Sequence, residues 1–106
     1  CYHSKQYITA DAIEADYIAP YFGRMEEAGL DAYDHMSLMK DLERHSTNRC
    51  KILVASIRSV DQMMTLAGQG HVYFTISPAI ADELLSAELT VKAVSEFDEA
   101  AAKVEV

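Results

Sequence analysis

Three short stretches of the chain are almost continuously apolar, at residues 17–20, 51–56 and 72–76. Such runs are typical of strands covered on both faces, as in parallel sheets, because a half-exposed antiparallel strand would alternate apolar and polar residues. We therefore predict three parallel strands. Cys1 and Tyr2 are interpreted as the remnant of a fourth.

Helical patterns lie between these strands. Ser4 is predicted to cap a helix that extends to about Glu14, and a second helix is predicted before the polar segment 45–49. The apolar face of this second helix is formed by Met36, Leu38, Met39 and Leu42.

The helices of the second half carry clearer end signals. Ser59 followed by Gln62 fits a capping box, and Gly68 stands where a glycine stop belongs. Ser77 and Pro78 are typical of a helix start, and that helix should extend to about Leu85, followed by another over about Thr90 to Lys103. The apolar positions are Val60, Met63, Met64 and Ala67 in the first of these three helices and Val91, Val94, Phe97 and Ala101 in the last.

This order of elements predicts an α/β fold with a parallel sheet. The 106 residues match a common domain size, so residues 1–106 are expected to form a single unit. Three or four strands are too few to close a barrel, which takes about 250 residues.

Composition narrows the possible partners and the cellular location. The net charge is −8 without a cluster of lysine or arginine, so neither nucleic acid nor an anionic membrane is an expected partner. There is no signal-peptide pattern and no apolar stretch of membrane-spanning length. We predict a cytoplasmic protein with reduced cysteines and a buried Cys50, and the first residue, Cys1, hints at a longer parent chain.

No metal or cofactor is expected. The histidines show none of the i, i+3 or i, i+4 spacings of a metal site and are predicted to be solvated or capping residues. The Gly68-Gln69-Gly70 segment comes before a strand, so it is interpreted as a turn and not as a nucleotide loop. The histidines are His3, His35, His45 and His71.

Polar residues follow two of the predicted strands directly, where parallel α/β proteins carry their sites. Ser56 and Arg58 would point to one side of extended backbone and lead into the helix near Val60, while Arg24 lies in the loop after the first strand. Two guanidinium groups, a hydroxyl and a helix start could hold a phosphate. Alternatively, both arginines are surface residues paired with Glu26, Glu27 or Asp61.

The same segments carry a family resemblance. ADYIAPYFGRM at residues 15–25 and ILVASIR at residues 52–58 resemble the transaldolase family, and most closely its short subgroup that includes the bacterial fructose 6-phosphate aldolases. The likeness extends over the whole chain. It implies a partial (β/α)8 TIM barrel, namely the C-terminal half with about strands five to eight and their helices.

The resemblance also implies chemistry. Family members form a Schiff base on a lysine and transfer or release a dihydroxyacetone unit. By resemblance, Arg24, Ser56 and Arg58 match phosphate-binding positions, and Tyr2 matches a catalytic tyrosine at the end of strand five. Two positions depart from the family pattern: Gly23 stands where asparagine is common, and Ile57 where phenylalanine is usual.

The resemblance places the Schiff-base lysine and its aspartate and asparagine partners upstream of Cys1. Lys51 opens a strand at the end opposite the active face, and Lys5 is expected in the first turn of a surface helix. The isolated chain is therefore expected to be inactive. The remaining lysines, predicted on helices, are Lys40, Lys92 and Lys103.

Two compatible hypotheses result. The parent protein is a transaldolase or fructose 6-phosphate aldolase of carbohydrate metabolism, in the pentose phosphate pathway, and the chain in hand is an inactive half-barrel that supplies phosphate ligands. A third hypothesis is another phosphosugar barrel, such as an isomerase or epimerase. Because a half-barrel leaves two strand edges open, a homo-oligomer is predicted.

Overall fold

The computed structural model describes residues 1–86 and 93–96, which form an α/β fold. The strands are β1 (Tyr17–Ile18), β2 (Lys51–Val54) and β3 (Tyr73–Phe74). The helices are α1 (Lys5–Ala12), α2 (Phe22–Glu27), α3 (Ala32–Arg44), α4 (Val60–Gly68) and α5 (Pro78–Leu85).

The three strands form one parallel sheet in the order β1-β2-β3, as predicted. A further parallel bridge between Tyr21 and Ala55 carries the pairing to the ends of β1 and β2. Beside β1, the Cys1 nitrogen donates to the Ala19 carbonyl (3.1 Å) and the Tyr21 nitrogen donates to the Cys1 carbonyl (2.9 Å). These two bonds place Cys1 beside residues 19–21, which follow β1, but Cys1 and Tyr2 do not form the predicted fourth strand.

The two faces of the sheet differ sharply. Ile18, Ile52 and Val54 point to one face and are buried in a core that α1, α3 and α4 cover. Tyr17 and Tyr73 lie on the opposite face and are exposed. Burial of one face accounts for only every second residue of the apolar strands, so the prediction that both faces are covered is wrong for the described residues. The helices supply the rest of that core through Tyr7, Met36, Met39 and Leu66.

The start of α1 differs from the prediction. Ser4 stands at the N-cap position but makes no capping bond with its side chain. Instead Gln6 Oε1 accepts from the backbone nitrogens of Tyr2 (2.7 Å) and His3 (3.1 Å), and Ser4 bonds to His35 Nδ1 (3.0 Å). The helix ends at Ala12, two residues early, because Glu14 adopts a positive φ of 60°.

The ends of α4 and α5 agree in part with the sequence prediction. Ser59 Oγ accepts from the Gln62 nitrogen (3.2 Å), and Ser77 Oγ accepts from the Ile80 nitrogen (3.3 Å) at the predicted start of α5. α4 ends at Gly68, as predicted, although the positive φ of 102° belongs to Gly70, two residues later.

Two predicted apolar faces are wrong in part. Met36 and Met39 of α3 are buried, but Leu38 is exposed. In α4 the buried residue is Leu66, whereas the predicted Met64 and Ala67 are exposed. In each case the buried stripe is displaced around the helix relative to the predicted stripe.

Two buried polar side chains anchor the core. The Tyr7 hydroxyl donates to the Cys50 carbonyl (2.7 Å), and burial raises the pKa of the Cys50 thiol, as expected for an unreactive cysteine. His71 was predicted to be solvated or capping, and this is wrong: only 2% of it is exposed, and its Nε2 lies 3.0 Å from the Met36 carbonyl.

The end of the chain is described only in part. Most of the predicted helix from about Thr90 to Lys103, including Val91, Phe97 and Ala101, lies outside the described residues. None of the described helices has both the length and the apolar character needed to cross a membrane.

Candidate functional site

The C-terminal ends of β1 and β2 are joined by backbone hydrogen bonds. The Phe22 nitrogen donates to the Ala55 carbonyl (2.9 Å), and the Gly23 nitrogen donates to the Ser56 carbonyl (2.8 Å). The first residues of α2 therefore sit directly on the segment that follows β2. This contact brings the two predicted halves of the phosphate site to one end of the sheet.

Arg24 does not lie in a loop, as predicted, but in the short helix α2 that begins immediately after β1. Its guanidinium carbon lies 5.6 Å from the centre of the Tyr21 ring. The pKa of Arg24 is raised, mainly through interaction with the Tyr2 hydroxyl, and the charge of Glu27 makes a smaller contribution. Arg24 thus lies beside the two tyrosines.

Tyr2 and Tyr21 form an exposed aromatic pair at this end of the sheet. Their ring centres are 5.6 Å apart with a 57° angle between the planes. The sequence prediction included Tyr2 and missed Tyr21. The signal available for Tyr21 was its position, directly after a strand and three residues before Arg24.

Arg58 lies across α2. An added Cβ at Gly23 would meet Arg58 Nε at 2.6 Å, so the arginine stem passes directly over this glycine. The guanidinium group then reaches the Glu27 carboxylate, with 3.0 Å between Nη2 and Oε1. The pairing with Glu27, left open as an alternative by the sequence, is therefore present. Both side chains remain more than half exposed, at 52% and 65%.

Ser56 has a positive φ of 62° and is partly buried. The premise that Ser56 and Arg58 share one side of an extended backbone is therefore wrong, because Ser56 adopts the left-handed conformation. A non-glycine residue in that conformation costs of order 1–3 kcal/mol and is often found at functional sites.

Gln62 ties the β2–α4 segment to α2. Its Oε1 accepts from the Arg58 nitrogen (2.8 Å), and its Nε2 donates to Glu26 Oε2 (2.8 Å). In a complete capping box the Gln62 side chain would accept from the backbone nitrogen of the N-cap residue, Ser59. Here it accepts from the nitrogen of the preceding residue, Arg58, instead. The segment carrying Ser56 and Arg58 is thereby fixed against α2.

Two histidines meet beside this site. The rings of His3 and His35 are 4.2 Å apart between centres, a contact that sequence spacing did not indicate. The Nδ1 atom of His3 accepts from the Lys5 nitrogen (3.0 Å). Within residues 1–86 and 93–96, no group of three or more His, Cys, Asp or Glu side chains is arranged to hold a metal ion.

The described lysines occupy the positions predicted for them. Lys5 is exposed in the first turn of α1, and Lys40 on α3 pairs with Glu43 at 2.6 Å. Lys51 opens β2 at the opposite end of the sheet, where its ammonium lies 5.6 Å from the Tyr17 ring and 5.7 Å from the Tyr73 ring. Lys92 and Lys103 fall outside the described residues.

Comparison with known proteins places the whole chain in one family. The profile of the Transaldolase/Fructose-6-phosphate aldolase family matches residues 1–106. The chain is 28% identical over 97 residues to a probable transaldolase of Bartonella henselae, covering 92% of the chain and 44% of that protein. It is 31% identical over 100 residues to a probable transaldolase of a Caulobacter species, covering 92% of the chain and 45% of that protein. The chain thus spans less than half the length of these relatives.

Proposed function

Because the chain belongs to the Transaldolase/Fructose-6-phosphate aldolase family, we propose that it is the C-terminal half of a (β/α)8 barrel that transfers or cleaves a dihydroxyacetone unit of a ketose phosphate. Its own contribution is the phosphate end of the site. The parent enzyme acts through a Schiff base on a lysine located in its other half. The chain covers 44% and 45% of the length of two relatives, a share that supports an assignment to one half of the barrel.

The observation that carries the proposal is the contact between α2 and the segment after β2. The Gly23–Ser56 backbone bond and the Arg58 side chain join the elements that hold Arg24, Ser56 and Arg58. Guanidinium groups offer several donors in a planar fork that matches phosphate oxygens. In a protein of net charge −8, two arginines at the same end of the sheet provide the local attraction that an anionic substrate needs.

The tyrosine pair supplies hydroxyl groups next to Arg24. We propose that Tyr2 takes part in proton transfer at the substrate, and its contact with Tyr21 makes the second hydroxyl an equal structural candidate. The two are separable by experiment. Tyr2→Phe and Tyr21→Phe in the full-length parent should differ in turnover number, and the variant that retains full activity identifies the tyrosine that only packs.

None of the described lysines suits a Schiff base, which requires an amine that is partly neutral near pH 7 through desolvation or neighbouring cations. Lys5 is exposed, Lys40 is paired with Glu43, and Lys51 lies at the wrong end of the sheet. The isolated chain is therefore proposed to be inactive. Borohydride reduction in the presence of fructose 6-phosphate should give no covalent adduct, and an adduct on this chain would contradict the proposal.

Phosphate binding is the direct test. Inorganic phosphate and fructose 6-phosphate are titrated into the chain while amide NMR signals of Gly23 and Ser56 are followed. Arg24→Ala and Arg58→Ala should each weaken binding about tenfold to a hundredfold, the scale of one charge-assisted hydrogen bond. Arg44→Ala is the matched control, because Arg44 is an exposed arginine of α3 that pairs with Asp41. Equal affinities in all three variants would reject the site.

Two further properties are proposed on the same basis. The protein acts in the cytoplasm, since metabolic sugar phosphates are found there, and it works as an oligomer or beside the other half of its barrel. The hypothesis of an isomerase or epimerase barrel is not supported, because the family match covers the whole chain.

A further inference from the structure

Glu27 places a carboxylate beside both arginines of the proposed phosphate site. Its Oε1 lies 3.0 Å from Arg58 Nη2, and its charge makes the smallest of the contributions to the raised pKa of Arg24. Glu27 follows Gly23 by four residues and Arg24 by three, so all three occupy neighbouring positions on α2. The space that an incoming anion would use is thus next to a negative charge of the protein itself.

We propose that Glu27 is an internal competitor for the anion: a phosphate monoester binds by displacing the Glu27 carboxylate from the Arg58 guanidinium. This inference rests on the proposed phosphate site. A carboxylate and a phosphate use the same guanidinium donors, so one arginine fork cannot serve both fully. Phosphate monoesters approach a charge of −2 near neutral pH, whereas the carboxylate carries −1. Replacement of the Glu27 carboxylate by phosphate at Arg58 is therefore favourable. The free energy needed to displace Glu27 nevertheless lowers the observed phosphate affinity by a constant factor.

The geometry argues for competition and against a purely structural role. The Arg58–Glu27 pair is more than half exposed, so neither partner is locked by packing. The position of the segment is already held by other bonds, from Gly23 to Ser56 and from Gln62 to the Arg58 backbone. Releasing Glu27 would free the guanidinium without releasing the segment.

Glu26 provides a matched control on the same helix. It is exposed like its neighbour, but it accepts from Gln62 Nε2 at 2.8 Å and forms no ion pair with an arginine among the described residues. Glu27→Gln and Glu26→Gln each remove one negative charge from adjacent positions. General electrostatic effects on anion binding are therefore nearly equal in the two variants, and the difference between them reports the direct pair.

The experiment is a titration of wild type, Glu27→Gln and Glu26→Gln with inorganic phosphate, followed by NMR at low salt. Exposed ion pairs are weak, so Glu27→Gln should bind phosphate about two- to fivefold more tightly than Glu26→Gln. In an Arg58→Ala background this advantage should vanish. Urea denaturation of each variant verifies that the fold is unchanged.

The outcomes separate the inference from the proposed function. If wild type binds phosphate and the two glutamine variants bind it equally, Glu27 does not compete and the inference is overturned while the site stands. If Glu27→Gln binds more weakly than Glu26→Gln, Glu27 orients Arg58, which also overturns it. If none of the proteins binds phosphate, both the inference and the proposed site are wrong.

Discussion

Gly23 lies directly under Arg58, so closely that an added Cβ would stand 2.6 Å from Nε and 2.3 Å from the Ser56 carbonyl oxygen. The arginine could move, but the carbonyl belongs to the backbone and accepts the Gly23 N–H bond. We expect Gly23→Ala to lower the free energy of unfolding by about 1–3 kcal/mol, the usual effect of overpacking, and to weaken phosphate binding because Arg58 is displaced. Urea denaturation and phosphate titration measure the two effects.

Gly68→Ala serves as the control for this prediction. An added Cβ at Gly68 meets nothing within 4 Å, and the residue is the last one of α4. Alanine there should leave phosphate binding unchanged and stabilise the protein by up to about 1 kcal/mol through helix propensity. The interpretation of Gly23 is wrong if its alanine variant is as stable as that of Gly68.

Two substitutions of Ser56 separate the effect of its backbone conformation on stability from the effect of its hydroxyl on phosphate binding. Both Ser56→Gly and Ser56→Ala remove the hydroxyl, so both should weaken phosphate binding to a similar extent. Glycine adopts the φ of 62° without strain, whereas alanine does not. The glycine variant should therefore be more stable than the alanine variant by about 1 kcal/mol in urea denaturation. Equal stability would mean that the left-handed conformation is not retained.

His71 should make stability depend on pH. Burial lowers its pKa below the usual 6.5, with a smaller contribution from the charge of Lys40 and an opposing one from the Met36 carbonyl bond. Between the lowered pKa of the folded chain and the usual pKa, His71 is therefore protonated in the unfolded chain and neutral in the folded chain. The free energy of unfolding should be highest above about pH 6.5 and fall as the pH drops below it, by at most about 1.4 kcal/mol per pH unit.

Urea midpoints at pH 5.5 and 7.5 test this effect. In His71→Gln the difference between the two midpoints should shrink, whereas in His45→Gln, which changes an exposed histidine, it should match wild type. The buried Nδ1 of His71 has no hydrogen-bond partner among the described residues, so protonation there would leave an uncompensated charge. An unchanged pH dependence in His71→Gln would contradict the assignment.

The open face of the sheet should drive association. Tyr17 and Tyr73 are exposed on it, and β3 has a free edge among the described residues. We expect sedimentation at micromolar concentration to show a dimer or larger assembly. Tyr73→Ser should shift it toward monomer, while Met64→Ser, which alters an exposed residue of the outer helix α4, should not. A well-folded wild-type monomer would show that the half-barrel interpretation is wrong.

Local chemistry predicted a large part of this structure. The apolar runs located the three strands, and the serines at positions 59 and 77 marked helix starts because an N-cap bond involves residues only three apart. The residues of the candidate site were predicted by similar reasoning, and their role remains the proposal made above. Arg24 and Arg58 follow strands directly, and parallel strands end at a common edge.

Features set by distant contacts were missed. His71 is buried because Met36, 35 positions earlier, supplies a carbonyl partner, and no local pattern encodes that contact. The helix α2 escaped prediction because it is only six residues long and begins within the strand-end segment. The ion pair between Arg58 and Glu27 depends on Gly23, because the Arg58 side chain crosses α2 at a residue that has no side chain of its own.

The position of β2 inside the sheet affects how the protein opens. β2 has β1 on one side and β3 on the other, whereas β3 consists of two residues with one described neighbour. Opening fluctuations should therefore begin at β3 and reach β2 last, so amide hydrogens of residues 52–54 should exchange with solvent most slowly. Ser56 and Arg58 follow this strand directly. The proposed anion site is consequently attached to the most persistent part of the sheet and should remain assembled while the β3 edge opens.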